Sequence, residues 1–347
     1  MGSVALPVPP PHQGGTEWIA YYQAKGLAGL GHEVILMAAK GSLADEKYRL
    51  VEVGRPAFAK ATAGKEEIES SRALRVENVH LAEVIEKLTE LKDEYDVILN
   101  NMRGEAVFLP FARAWGKTFV NVMHLPIFEE LALYFKKFNT PIITISNAQR
   151  KQFPDLNYLA TVPNSVDTEK FTFNPHPSSD GYLLMMGTIG RHKNQGAAIR
   201  VARKLGMKLI LAGKIRDQDY FEELKADIDG TNIIWFGELD FYKKVELYQN
   251  AKCFLFPILW EEPFGLVLIE AMSCGTPVVA FGNGAIPEVV VDGKTGFVIE
   301  NNSEEEMAKA VLKIADIKRQ TCRNHAVDNF SVEKMVKAYE EALKRII

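Results

Sequence analysis

The sequence predicts a two-domain α/β chain, each domain a parallel sheet with helices on both faces. Three observations carry this. The 347 residues exceed what one hydrophobic core ordinarily supports. Short apolar runs alternate with longer helical patterns, which is how strands buried on both faces read. Near Asn174 to Gly181 the alternation gives way to Pro, Ser, Asp and Gly, the chemistry of a linker. The expected domains are therefore 1–173 and 174–330.

The elements follow in order. Ser3 to Leu6 reads as a short strand, stopped by the prolines from Pro7 to Pro11. Gly14 and Gly15 form a flexible joint. Thr16 is placed to cap a helix from Glu17 to Leu30, which Gly31 ends. Val34 to Ala38 reads as a buried strand. From Lys40 to Asn78 the chain is polar and weakly periodic, so loops are expected there, with one strand at Leu50 to Val53. A helix from Val79 to Lys92 is marked by Leu81, Val84, Ile85 and Leu88. Strands are expected at Val97 to Leu99, Thr118 to Val122 and Ile142 to Ile145. Beyond the linker they are expected at Tyr182 to Met186, Lys208 to Ala212, Asn232 to Phe236, Cys253 to Phe256 and Pro277 to Ala280. Two helices close the chain.

Composition narrows the function. Apolar residues make up 47% and charged residues 25%, as in a soluble globular protein. A net charge of −4 without a long basic run gives no footprint for non-specific nucleic-acid binding. Cys253, Cys274 and Cys322 have neither zinc spacing nor a disulfide framework, which points to a reducing cytoplasm. No apolar run reaches the length of a membrane span, and no signal peptide opens the chain.

The strongest chemical element runs from Trp260 to Met272. Pro263 and Gly265 break regular structure, so a helix should begin near Gly265 or Leu266 and end at Gly275. Glu262 then lies at the helix mouth and Glu270 inside the helix. Free N–H groups at a helix start bind anions. Carboxylates beside such a site suit a ligand with both phosphates and hydroxyls. The plainer reading is a capped surface helix with two solvated acids, and spacing alone leaves the two even. A second element, Gly187 to Gly196, follows a strand and precedes a helix. It is neither GxGxxG nor a P-loop. It offers Arg191 and Lys193 to a diphosphate, though taken by itself a solvated basic loop is the better reading. Gly14 and Gly15 allow close backbone approach to a ligand, or simply turn the chain. His124 follows a strand and could meet a substrate hydroxyl, although a lone His is more often structural; His32 is read as structural. Asp217 and Asp219 spell DxD, but they open a predicted helix and read as capping acids. No metal site is expected.

These residues resemble the retaining GT-B glycosyltransferases of the large family-four group. Glu262 and Glu270 look like that group's EX7E motif, with Pro263, Phe264, Gly265 and Leu266 as its typical filling. The stretches Ser273 to Val279, Pro287 to Val290 and Asp292 to Phe297 are similar to the segments that follow. In the first half, Pro9 to Glu17 resembles its glycine loop and Gly31 to Val34 its second strand. Val162 to Asp167 resembles the interdomain signature.

The resemblance implies a GT-B fold, two Rossmann-like domains with parallel sheets facing across a cleft. It implies acceptor binding in the first domain and a nucleotide-sugar donor in the second, with a last helix over 331–347 packing back on the first. Carried over, Arg191 and Lys193 hold the donor diphosphate. Glu262 and the N–H groups of Phe264, Gly265 and Leu266 meet the donor sugar or its phosphate. Glu270 binds ribose, Gly14 and Gly15 approach the phosphates, and His124 contacts the sugar. The implied catalytic set is His124, Arg191, Lys193 and Glu262.

The implied reaction moves a hexosyl group from a UDP- or GDP-linked sugar to a saccharide, lipid-linked or small-molecule hydroxyl, with retention. It needs no metal and no cofactor. Peripheral membrane contact is compatible with the family but has no basic amphipathic helix here. Same-fold alternatives are a nucleotide-sugar 2-epimerase, a phosphorylase and a non-catalytic sugar-nucleotide-binding protein. The chain departs from the family in three places. Thr188 stands where Arg is usual, Ser165 where Gly is usual, and the usual His-x-His near Asn100 is absent.

Overall fold

The computed structural model describes residues 1–2, 6–10, 14–54, 66–177 and 181–347. They form two compact units. The first comprises Met1–Ile145, Gln149–Pro163 and Met335–Ile347, and the second Ser146–Ala148 and Asn164–Lys334. The division thus falls after Pro163 rather than at the expected 173. The physical reason is backbone tying: Ser273 and Arg323 both donate to the Phe171 carbonyl, and Gln249 donates to that of Thr172. These bonds hold 164–173 to the second unit.

The first unit contains α1 (Gly15–Gly29), β1 (Ile35–Ala39), β2 (Arg49–Val53), α2 (Glu66–Glu90), β3 (Val97–Asn100), α3 (Glu105–Trp115), β4 (Thr118–Met123), α4 (Glu129–Phe138), β5 (Ile142–Thr144) and β6 (Tyr158–Thr161). β1 pairs with β2, and β3 to β6 form a second sheet in chain order, all parallel. Met1 and Gly2 bond to both sheets. The Gly2 N–H donates to Met37 (2.8 Å), the Met1 ammonium donates to Leu99 (2.7 Å), and the Asn101 N–H donates to the Met1 carbonyl (3.2 Å). Of the strand expected at Ser3 to Leu6, residues 3–5 lie outside the described residues, as do 11–13 of the glycine loop. A cavity of about 450 Å³ lies between β1 and β3, with Leu27, Leu36, Leu88 and Ile98 in its wall.

α2 starts far earlier than the expected Val79. Residues 66–92 contain neither Gly nor Pro, so nothing stops the helix from extending past its buried stripe. Leu81, Val84 and Leu88 are buried, whereas Leu74, Val76 and Val79 are exposed. Hydrophobic periodicity therefore marks only the packed half. The buried stripe joins Phe108, Phe119, Phe135 and Ile142 in one core. His32, read as structural, pairs with Glu340 at 2.9 Å.

The second unit contains β7 (Leu183–Met186), α5 (Gln195–Leu205), β8 (Leu209–Ala212), α6 (Gln218–Lys225), β9 (Ile233–Trp235), α7 (Phe241–Asn250), β10 (Cys253–Phe256), α8 (Leu266–Ser273), β11 (Val278–Phe281), α9 (Ile286–Val289), β12 (Gly296–Ile299), α10 (Glu304–Leu312) and α11 (Arg319–Phe330). α12 (Val332–Leu343) follows. The six strands lie parallel in the order β12-β11-β10-β7-β8-β9. Chain order runs outward from the middle in both directions, so the sheet reverses between β7 and β10. In open α/β sheets, ligands bind at such a reversal, beyond the carboxyl ends of the strands. β7, β8, β10 and β11 are buried throughout, as covering on both faces requires. Among the described residues, no helix is long and apolar enough to cross a membrane.

Candidate functional site

The loops after β7 and β10 meet at the reversal. After β7 the chain makes a 3-10 turn over Arg191–Lys193 and enters α5 through Asn194, whose positive φ of 59° suits Asn. The Asn194 side chain donates to the Pro257 carbonyl (3.0 Å), and the Leu259 N–H donates to the His192 carbonyl (3.0 Å). These bonds lock one loop against the other. As a result the Lys193 ammonium reaches Glu262 at 3.0 Å, with the two side chains 17% and 12% exposed. The Trp260 indole N–H donates to the same Glu262 oxygen at 2.9 Å. The ammonium also lies 5.2 Å from the Trp260 ring centroid, a cation–π distance.

Glu262 is held from behind as well. Its carbonyl accepts from Ala285 N–H (2.8 Å), and a Cβ on Gly284 would come within 2.4 Å of its backbone N and O. Only glycine fits there. Gly265, at φ 90°, turns the chain into α8 just after Phe264, and the helix begins at Leu266 as the sequence predicts. The Leu268 N–H donates to the Gly265 carbonyl (3.0 Å), and the N–H groups ahead of it in the turn have no acceptor within the helix.

Glu270 lies inside α8 and is 15% exposed. It accepts from Lys244 Nζ (2.6 Å) and from the buried Tyr248 hydroxyl (3.0 Å). Arg191 is engaged elsewhere. It forms a forked pair with Glu223, lies 3.8 Å from Asp217 and sits over the Tyr220 ring. Asp217 caps α6, accepting from Tyr220 N–H at 3.0 Å. Among the described residues, no group of three or more His, Cys, Asp or Glu could hold a metal ion.

In the first unit, His124 follows β4. Its Nε2 lies 2.9 Å from Asn101 Oδ1, and Asn101 Nδ2 donates to Gln23 (2.7 Å). Burial pushes the imidazole down to about 4, so it is neutral near pH 7. Gly14 precedes α1 in a crowded place: a Cβ would meet Pro10 and Glu17 side-chain atoms at 2.7 and 2.8 Å. Gly15 opens the helix and is exposed.

The sequence reading missed Trp260 as a donor, the Lys244 and Tyr248 pair, and Asn101. Trp260 stood inside the recognised motif, and the presence of an indole N–H was the available signal. Lys244 and Tyr248 carry only i, i+4 spacing, which most helices show.

Residues 166–328 match the family model of glycosyl transferases group 1. The matched region holds Lys193, Lys244, Glu262 and Glu270. Over 194 residues the chain is 28% identical to a phosphatidyl-myo-inositol mannosyltransferase of Mycolicibacterium smegmatis, covering 53% of this chain and 50% of that one. The chain spans about half the length of the curated relatives it matches, or less. Its fold resembles that of a sucrose-phosphate synthase from Thermosynechococcus elongatus, with TM-score 0.77 and 16% identity over 100% of this chain and 99% of the other. It also resembles an Anabaena protein, HepE, solved in complex with UDP, with TM-score 0.73 and 18% identity over all of both chains. The fold is GT-B, with two Rossmann-like units.

Proposed function

We propose that the chain moves a hexosyl group from a nucleotide diphosphate sugar to an acceptor hydroxyl, with retention and without a metal. One observation carries this reading. Lys193 and Glu262, from loops 69 positions apart, meet at 3.0 Å where the sheet order reverses, beside the open start of α8. That arrangement offers a diphosphate one ammonium and a row of N–H groups, and offers a sugar one carboxylate. The match to group 1 glycosyl transferases supports it, as do the UDP held by the Anabaena HepE structure and the mannosyltransferase among the relatives.

As the bond to the leaving oxygen breaks, negative charge grows on the diphosphate. Lys193 and the N–H groups of Phe264, Gly265 and Leu266 stabilise it in place, without reorganisation. Glu262 orients the transferred sugar, and Glu270 takes the ribose hydroxyls. Arg191 anchors its loop to α6 through Glu223, which with Asp217 offsets its charge there. In the first unit, neutral His124 offers a contact to a substrate hydroxyl, and Gly14 and Gly15 let backbone approach a ligand.

Thermal stabilisation tests the donor class. UDP, GDP and ADP are compared, each alone and as its sugar conjugate. A ligand at 100 times its dissociation constant adds about 2.7 kcal/mol, easily seen as a shifted midpoint. UDP or GDP is expected to shift it. No shift by any nucleotide at millimolar concentration would end this reading.

A further inference from the structure

The two glutamates of the motif are held in the same manner, each by one ammonium and one aromatic donor. For Glu262 these are Lys193 and Trp260, both on Oε2. For Glu270 they are Lys244 on Oε1 (2.6 Å) and Tyr248 on Oε2 (3.0 Å). Lys244 and Tyr248 stand one turn apart on α7, which packs against α8. We propose that Lys244 and Tyr248 are positioning residues that set Glu270 to read a nucleotide's ribose diol, so that discrimination between ribo- and deoxyribonucleotides depends on α7. This rests on the assignment of Glu270 to ribose.

The argument starts from acceptor sites. A carboxylate offers about four, two on each oxygen. Lys244 takes one on Oε1 and Tyr248 one on Oε2. One site on each oxygen remains, and a vicinal diol donates two bonds. The Tyr248 hydroxyl can be trusted to donate: its side chain is fully buried, and burial beside Glu270 holds the phenol protonated. Its backbone is tied too, because the Thr276 hydroxyl donates to the Tyr248 carbonyl. The phenol therefore cannot swing away, and Glu270 Oε2 stays in one place.

Lys244 adds a second effect. A bare carboxylate in the same pocket as a diphosphate is repelled by it. The Lys244 ammonium, over the Phe171 ring at 5.1 Å and 26% exposed, offsets the Glu270 charge at short range. Glu270 can then serve as a hydrogen-bond acceptor at a small cost in repulsion.

Isothermal titration decides between positioning and mere tying of α7 to α8. The probes are the nucleoside diphosphate that stabilises the protein and its 2′-deoxy and 3′-deoxy forms. The native protein should prefer the ribonucleotide by roughly 10-fold or more, the worth of a bond to a charged group. In Tyr248→Phe and Lys244→Met that preference should fall several-fold, and Lys244→Arg should keep most of it. If affinity falls equally for all three ligands, with the preference unchanged, the two residues only join helices and the proposal is overturned. If the native protein shows no preference, the ribose assignment of Glu270 fails first and takes this inference with it. Lys244 is partly exposed, so Lys244→Met carries the test even if Tyr248→Phe fails to fold.

Discussion

At the residue scale, the two motif glutamates differ in what surrounds them, and their losses should differ accordingly. Glu270 sits inside α8 with both oxygens engaged from α7, whereas Glu262 sits at the mouth with Oε2 doubly engaged. Glu270→Ala should weaken free nucleotide by roughly 10- to 150-fold, the range for a bond to a charged group. Glu262→Ala should leave that affinity nearly unchanged and lower turnover, because the free nucleotide carries no hexose. Titration with the free nucleotide checks both, and the opposite pattern would reverse the donor's placement. Lys193 and Glu262 touch, so their effects should not add. Lys193→Ala together with Glu262→Ala should cost less turnover than the two single losses combined. Additive losses, measured as kcat, would show that the 3.0 Å pair does not act as a unit in the reaction.

At the element scale, α11 fastens the ends of its neighbours. Arg319 donates to the carbonyls of Gln249, Ala251 and Cys274, and Arg323 to those of Phe171, Thr168 and Ser273. Helix C-termini leave carbonyls without partners, and these two guanidinium groups supply donors to the ends of α7 and α8. A lysine cannot replace the planar fork. Arg319→Lys should therefore cost about 2–4 kcal/mol, read as a lower denaturation midpoint, since buried acceptors lose partners. An unchanged midpoint would remove α11 from the support of the site. α2 carries a different sensitivity. Burial pushes His80 down to about 4, and its Nδ1 has no partner. Its ordinary value is about 6.5. The folded state binds the proton less readily than the unfolded state, so stability is fully present above pH 6.5. It falls as pH drops from 6.5 towards 4, where the unfolded chain takes up the proton first. His124 acts in the same direction. Thermal midpoints between pH 7 and 4.5 should fall less steeply in His80→Gln than in the native protein; equal slopes would clear His80 of any part in the acid sensitivity.

At the scale of the whole molecule, phosphate charge is assigned to Lys193 and the start of α8, and Asp217 to capping α6. Turnover should therefore survive EDTA, and Asp217→Ala should lower stability by about 1 kcal/mol, as lost caps do, more than it lowers kcat. Activity removed by EDTA and restored by manganese would overturn that assignment. The sequence by itself determined the α/β class, the alternation of strands and helices beyond residue 181, and the start of α8 just after Gly265. It could do so because apolar runs, Gly and Pro act locally on backbone and burial. It could not mark where 164–173 belong, because their attachment is made by Arg323, Ser273 and Gln249, far away in the chain. It read α2 only from Val79 onward, around the buried Leu81 to Leu88, because solvent imposes no period on an exposed turn. It grouped Arg191 with Lys193 by adjacency, and only packing decided that Arg191 meets Glu223 while Lys193 meets Glu262. Neighbours in sequence share a loop, but the direction of each side chain is set by the elements around it. Those elements, α6 on one side and the loop after β10 on the other, come together only when the sheet forms.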